Sequence, residues 1–271
     1  MSKMPMKSNI VKCALFAASM LSACIWLLSG CAAPRVAAPV PEISPNEMMD
    51  SLVAGDKLVR SAYLKGKGKF TSGGTEETFM VNLLASRPDR LIVNVLGPLG
   101  LPIAILWLCG QDSLCIYLPS RNAVLVEPLG ADMPGMILPP AAPILVDMFC
   151  GMAPIARFAH ALQNFEKTSD GHFLTFKTDR ELLIAFAKPQ PWHIESFEWA
   201  KLANTSEQVS VEFEDGEIRD DIWRPGKIII TSPALGQVIS VNITRDEINP
   251  SPADSLFVPK IPPNAVWQNA F

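Results

Sequence analysis

Three histidines, His160, His172 and His193, and six cysteines are the groups of this chain best suited to acid–base or nucleophilic work. No two histidines stand in a metal-ligand spacing such as His-x-x-x-His. Cys150 and His160 could be imagined as a thiol–base pair, but Cys150 falls in a helical pattern among apolar residues, where an inert buried thiol is expected. There is no Gly-x-Ser-x-Gly elbow and no glycine-rich phosphate loop. Glu212, Glu214, Asp215, Glu217, Asp220 and Asp221 gather acidic charge in one stretch. A solvated loop is the expectation there, and a calcium site is the alternative, although EF-hand spacing is missing. The chain is thus expected to be no enzyme and to need no metal or cofactor. Cys109 and Cys115 flank the tight turn Gly110-Gln111-Asp112-Ser113 and could face each other across a hairpin. An oxidising compartment would permit a disulfide. Cross-strand neighbours often lack the geometry for one, so free thiols are expected.

The compartment is read from the first residues. Lys3, Lys7 and Lys12 precede an apolar run that ends Leu28-Ser29-Gly30-Cys31, and a proline-rich stretch follows. A basic start, a short apolar centre and small residues at the cut make a removable export signal over residues 1–30. The alternative is a membrane anchor. Cys13 to Gly30 comprises 18 apolar or small residues, at the lower edge of the ~17–25 that span a bilayer. The ending decides for the signal, because an anchor needs no Leu-Ser-Gly-Cys followed by a tether. Leu21-Ser22-Ala23-Cys24 has the same form, but cleavage there would leave Ile25-Trp26-Leu27-Leu28 exposed, so Cys31 is preferred.

Beyond the signal, 20 of the 23 basic residues remain against 27 acidic ones, a balance of −7. No dense Lys/Arg stripe exists to neutralise phosphates, which argues against nucleic acid. Only 18% of the chain is charged, a low fraction that hints at apolar surface put to use. Residues 31–43 read as an extended, proline-rich tether. Ser44-Pro45-Asn46-Glu47 combines an N-cap serine, proline at the first helical position and glutamate three residues after the cap, which predicts a helix from there to near Arg60.

From Tyr63 to Pro128 the periodicity is two. Lys65, Lys67 and Lys69 alternate with Leu64, Gly66, Gly68 and Phe70, and further strands follow through Val81, Val93, Ile105, Ile116 and Leu125. Prolines break the pattern over 129–164, where Ile144, Leu145, Met148 and Phe149 form one helical face and Gly151 is placed to stop it. A second short helix is expected from Pro154 to Leu162. Strands resume from His172 to Thr178 and continue to Thr244. The expectation is one curved antiparallel sheet with a single apolar face, a half-open β-barrel, lidded by the proline-broken helices. By strand parity Phe70, Phe79, Val81, Leu83, Leu91, Val93, Val95, Leu174, Phe176, Ile184, Val211, Phe213, Ile239 and Val241 face inward. Parity alone fits an ordinary filled core as well as a cavity.

Several segments, taken in order, resemble a known family. The stretch Leu28 to Cys31 resembles the lipobox of secreted lipoproteins, in which the cysteine is acylated and becomes the mature N-terminus. Arg90 to Gly100, Arg90-Leu91-Ile92-Val93-Asn94-Val95-Leu96-Gly97-Pro98-Leu99-Gly100, resembles a strand and Pro-Leu-Gly loop of the LolB outer-membrane lipoprotein receptors. Leu138 to Pro154 is similar to their mid-chain helix, and Arg224 to Ile230 with Val238 to Ile243 to their final hairpin. The match covers most of 45–248, and 44–248 is taken as the LolB-like domain. Residues 249–271, with Leu256-Phe257-Val258-Pro259-Lys260-Ile261-Pro262, depart from LolB and look more like the end of LolA-type carriers.

The resemblance implies a half-barrel whose inward residues line an apolar cavity for acyl chains, closed by the lid Ile144, Leu145, Met148 and Phe149. It implies lipidation at Cys31, and Ala32 in place of aspartate after it points to the outer membrane, on the periplasmic face. It implies a monomer that takes lipidated proteins from a periplasmic LolA-like carrier and inserts them. It assigns Leu99 and Leu101 to a membrane-insertion loop, with Leu99 as the tip and Leu101 the one expected to fold back onto the sheet edge. Met133, Met136, Met148 and Met152 cluster around the lid, where methionine suits an adaptable apolar surface or simply fills gaps. The alternatives are a structural or interaction lipoprotein with a filled barrel and, third, a periplasmic hydrolase.

Overall fold

The computed structural model describes residues 40–110, 113–129 and 141–269. Cys24, Cys31, residues 31–39 of the tether, Met133 and Met136 lie outside them. Helix α1 (Pro45–Leu58) starts as its sequence dictates. Ser44 accepts from the Glu47 N–H, and the Glu47 carboxylate accepts from the Ser44 N–H at 3.0 Å. Six strands follow: β1 (Ser61–Ser72), β2 (Thr75–Ser86), β3 (Arg90–Leu96), β4 (Pro102–Leu108), β5 (Ser113–Leu118) and β6 (Ala123–Pro128). The lid helix α2 (Ala142–Phe149) ends at Gly151. The second short helix, α3 (Ile155–Phe158), is a single turn continued as 3-10 to Ala161.

The remaining strands are β7 (Leu162–Lys167), β8 (His172–Lys177), β9 (Glu181–Lys188), β10 (His193–Lys201), β11 (Asn204–Glu214), β12 (Glu217–Arg219), β13 (Ile222–Arg224), β14 (Lys227–Ser232), β15 (Gln237–Ile248) and β16 (Val266–Asn269). Fourteen of them make one open sheet in the order β16-β6-β5-β4-β3-β2-β1-β15-β14-β11-β10-β9-β8-β7, and β12–β13 stands apart as a hairpin. Every pairing in the large sheet is antiparallel except β16 with β6. The seam between the two meanders is β1 against β15, paired from Ala62–Ile248 to Ser72–Gln237 with one register shift between Lys65 and Gly66. Gly68 sits inside this seam because Phe79 lies across it; a Cβ there would stand 2.2 Å from the Phe79 ring.

The three helices cover the inner face. Ile144, Leu145, Val146 and Met148 of α2 are fully buried against it, in one cluster with Leu64, Leu83, Val93, Phe176, Trp199 and Val211. Three expectations need correction. The sheet does not have one apolar face: Ile92, Trp107, Tyr117 and Val124 form a second cluster on the outer face, covered by Phe257, Ile261 and Ala265. Those covering residues come from the C-terminal extension, so a stretch without strand periodicity supplies an apolar patch with its partner. Strands β7, β12, β13 and β16 were not expected, being short and poorly alternating.

Third, Cys109 and Cys115 form a disulfide, with Cα atoms 6.0 Å apart. They are not direct cross-strand neighbours. Cys115 stands opposite Trp107 in the register, and Cys109 lies just past the end of β4, where its N–H bonds Ser113. That diagonal places the Cα atoms within the ~4.4–6.8 Å a bridge requires.

Candidate functional site

The loop between β3 and β4 presents its apolar residues outward for a backbone reason. Gly97, Pro98, Leu99 and Gly100 form a turn closed by the Gly100 N–H on the Gly97 carbonyl at 2.9 Å. Proline suits the second position, and Gly100 supplies the positive φ of +75° that follows the turn. Leu99 is held at the third position, 88% exposed. Leu101 does not fold back onto the sheet edge; it is 65% exposed, and Ile103 next along is 49% exposed. The Gly97 N–H also bonds the Leu101 carbonyl at 2.8 Å, which closes the loop a second time.

The residues assigned inward divide into two groups. Val81, Leu83, Leu91, Val93, Leu174, Phe176, Val211 and Phe213 are buried with the lid. Phe70, Phe79, Val95, Ile239 and Val241 are only half-buried and lie toward the end of the strands that carries the Leu99 loop. Ile184 is a correction. In the β8–β9–β10 register it pairs with Thr175 and Glu198, whereas Leu183, Ala185 and Ala187 face the core with Leu174 and Phe176. An unbroken apolar run from Leu182 to Ala187 hid the parity of β9. Of the lid residues, Phe149 is the one left half-buried.

Two arginines fasten the lid. Arg87, in the turn after β2, donates from Nε to Asp147 Oδ1 of α2 at 2.6 Å and from Nη2 to Asp56 Oδ2 of α1 at 2.8 Å. Its Nη1 donates to the Asp56 and Val59 carbonyls. One guanidinium thus serves two carboxylates in a buried place. Burial outweighs Arg87 and pushes Asp147 up to about 7; Asp56 is raised for the same reason. Three residues on from Asp147, at the helix C-cap, the fully buried Arg224 holds Asp246 in a two-bond fork, at 2.8 and 3.1 Å, and donates from Nη1 to the Cys150 carbonyl. A lone carboxylate, Asp147, in an otherwise apolar helix was the available sequence signal for these ties.

A cavity of about 370 Å³ opens between α1, the Gly151–Ile155 link, the Pro191–Ile194 stretch and β13. Leu52, Met152, Ile155, Trp192, Ile194 and Trp223 give it apolar walls, and Asp56 and His193 are among its polar groups. The His193 ring stacks on Trp223 with centroids 4.1 Å apart. Its pKa is lowered by burial, so it is neutral near pH 7. None of the fourteen residues assigned inward lines this cavity, which sits at the strand ends opposite the Leu99 loop.

Cys150 is buried, and burial pushes its thiol up to about 12, while His160 is exposed. Among the described residues no cluster of three His, Cys, Asp or Glu could hold a metal ion. Glu214 and Glu217 of the acidic stretch pair with Lys227 and Arg219. No helix among the described residues is long and apolar enough to cross a membrane.

Neither a protein-family model nor a curated protein matches the sequence. Solved structures do match the fold. A LolA superfamily protein from Nitrosomonas europaea aligns with a TM-score of 0.55 at 12% identity, over 80% of this chain and 99% of its own. The chain has the LolA/LolB-like fold. A DUF1329 family protein from Desulfovibrio piger shares it at TM-score 0.56 and 12% identity, over 78% and 96% of the two chains. A domain assigned to outer-membrane lipoprotein sorting, from Vibrio parahaemolyticus, does so at 0.57 and 12%, over 78% and 95%. The LolA-like fold accounts for the open sheet and for the helices on its inner face. At this identity it speaks for the fold alone.

Proposed function

We propose that this chain is a lipoprotein, anchored through Cys31 to the periplasmic face of the outer membrane, that binds acyl chains of lipidated proteins and helps insert them into that membrane. A periplasmic LolA-like carrier is the donor, and the chain works as a monomer. The observation that carries the reading is the Leu99 loop: three exposed apolar residues, Leu99, Leu101 and Ile103, at the strand end where the inner face is only half covered. An exposed apolar cluster of this kind marks contact with a membrane or another apolar surface. An acyl chain laid over Phe70, Phe79 and Ile239 gains ~0.8 kcal/mol per methylene removed from water. A carrier with a similar face can exchange it without nucleotide.

Depleting the protein is expected to strand lipoproteins in the periplasm, bound to their carrier. Leu99→Glu is expected to block insertion into outer-membrane vesicles while cargo is still bound. Normal lipoprotein sorting after depletion would remove the transfer reading. A second reading, a scaffold lipoprotein without transfer activity, is favoured by one feature. The lid is buried and tied at its C-terminal turn by Arg87 and Arg224, so much of the inner face is already filled.

A further inference from the structure

The cavity beneath α1 has a chemical bias that an acyl chain does not use. No lysine or arginine lines it. Its polar side chains, the two indole N–H groups apart, offer lone pairs. Ser51 spends its hydroxyl hydrogen on the Glu47 carbonyl at 2.9 Å. His193 lies with Nδ1 2.7 Å from the Pro191 carbonyl, so the ring hydrogen is on Nδ1 and Nε2 is an acceptor. Asp56, 4% exposed, gives Oδ2 to Arg87 and leaves Oδ1 with no hydrogen-bond partner. Asp221 adds another carboxylate at the rim. Around these acceptors stand the rings of Trp192 and Trp223.

We infer that this cavity binds a primary ammonium group carried on an apolar stem. The group brings three donors to a set of acceptors, and its positive charge meets Asp221 at the rim and Asp56, which already shares its charge with Arg87. The indoles attract the same charge through their faces, and the stem fills the apolar remainder. A hydroxyl brings one donor and no charge, and a carboxylate is repelled. About 370 Å³ is within the size of small-molecule pockets. The ammonium could come from an ethanolamine lipid head or from a lysine side chain. The site is separate from the Leu99 loop, and the inference goes beyond the transfer reading.

Calorimetric titration of the full chain carrying Cys31→Ser, so that no acyl group competes, tests it with three probes of equal length: octylammonium, octanol and octanoate. Octylammonium is expected to bind at least about tenfold more tightly than octanol, the gain of one charge-assisted hydrogen bond, and octanoate to give no heat. Asp56→Asn is expected to erase the preference. Because Asp56 also holds Arg87, Asp221→Asn serves as a second variant that spares the core, and a several-fold loss is expected from it. Competition assigns the source: displacement of octylammonium by lysophosphatidylethanolamine indicates a lipid, and by a lysine-containing peptide a protein. Equal binding of octanol, binding of octanoate, no amine binding, or failure of both competitors overturns the inference. Leu99→Glu leaves amine binding unchanged, so this site and the transfer reading fail independently.

Discussion

At the scale of single residues, the decisive chemistry is one arginine between two buried carboxylates. Asp147 is pushed up to about 7 by burial, against ~3.9 in an unfolded chain. Between those values the folded chain keeps a proton that the unfolded chain has released. Folding stability therefore falls as pH rises from about 4 to about 7, by at most ~1.4 kcal/mol per pH unit, and levels off above that window. Asp147→Asn removes the titrating group and should flatten the slope, as urea midpoints at pH 5, 6 and 7 would record. A slope unchanged by the substitution would place the proton elsewhere. Asp56, raised in the same direction, adds to the effect without reversing it.

At the scale of elements, the lid is the part whose attachment sets what the inner face can do. Helix α2 contributes four fully buried apolar side chains, yet its C-terminal turn is fixed by polar ties from Arg87 in the turn after β2 and Arg224 of β13. Arg224 and Asp246 are both sealed from solvent. Removing one partner leaves an uncompensated buried charge, so Arg224→Met is expected to cost about 3–5 kcal/mol in chemical denaturation. Arg245→Met, which breaks the exposed pair with Glu247, should leave stability nearly unchanged. Comparable losses from both would mean that the lid is held by apolar packing alone.

At the scale of the whole molecule, the C-terminal extension completes the sheet on its outer side. Phe257 and Ile261 cover Ile92, Trp107 and Tyr117, Trp267 meets Trp107 edge-on, and β16 pairs with β6. Ending the chain after Pro250 should uncover that patch. A fall in Tm of more than about 5 °C and new binding of an apolar dye are expected, since burial of each large apolar side chain contributes ~1.5–3 kcal/mol. Leu99→Glu, at an 88% exposed position, should leave Tm where it is, which separates the loop's role from stability.

Local features were written in the residues themselves. The capping box of Ser44 and Glu47, the strict alternation of β1, and the apolar face of Ile144, Leu145 and Met148 each specify an element from neighbours within a turn or two, because caps and side-chain periodicity act over a few residues. The sequence also carried the Pro-Leu-Gly turn that exposes Leu99. Only the tertiary structure decided what depends on residues far apart along the chain. Pairing of Leu183 with Phe176 turned Ile184 outward, a diagonal brought Cys109 to Cys115, and Arg87 found Asp147 sixty residues away. Asp56, Trp192, His193 and Trp223 became one cavity because α1 and three loops converge at the same end of the sheet. No periodicity encodes that meeting; it is set by the register of the strands between them.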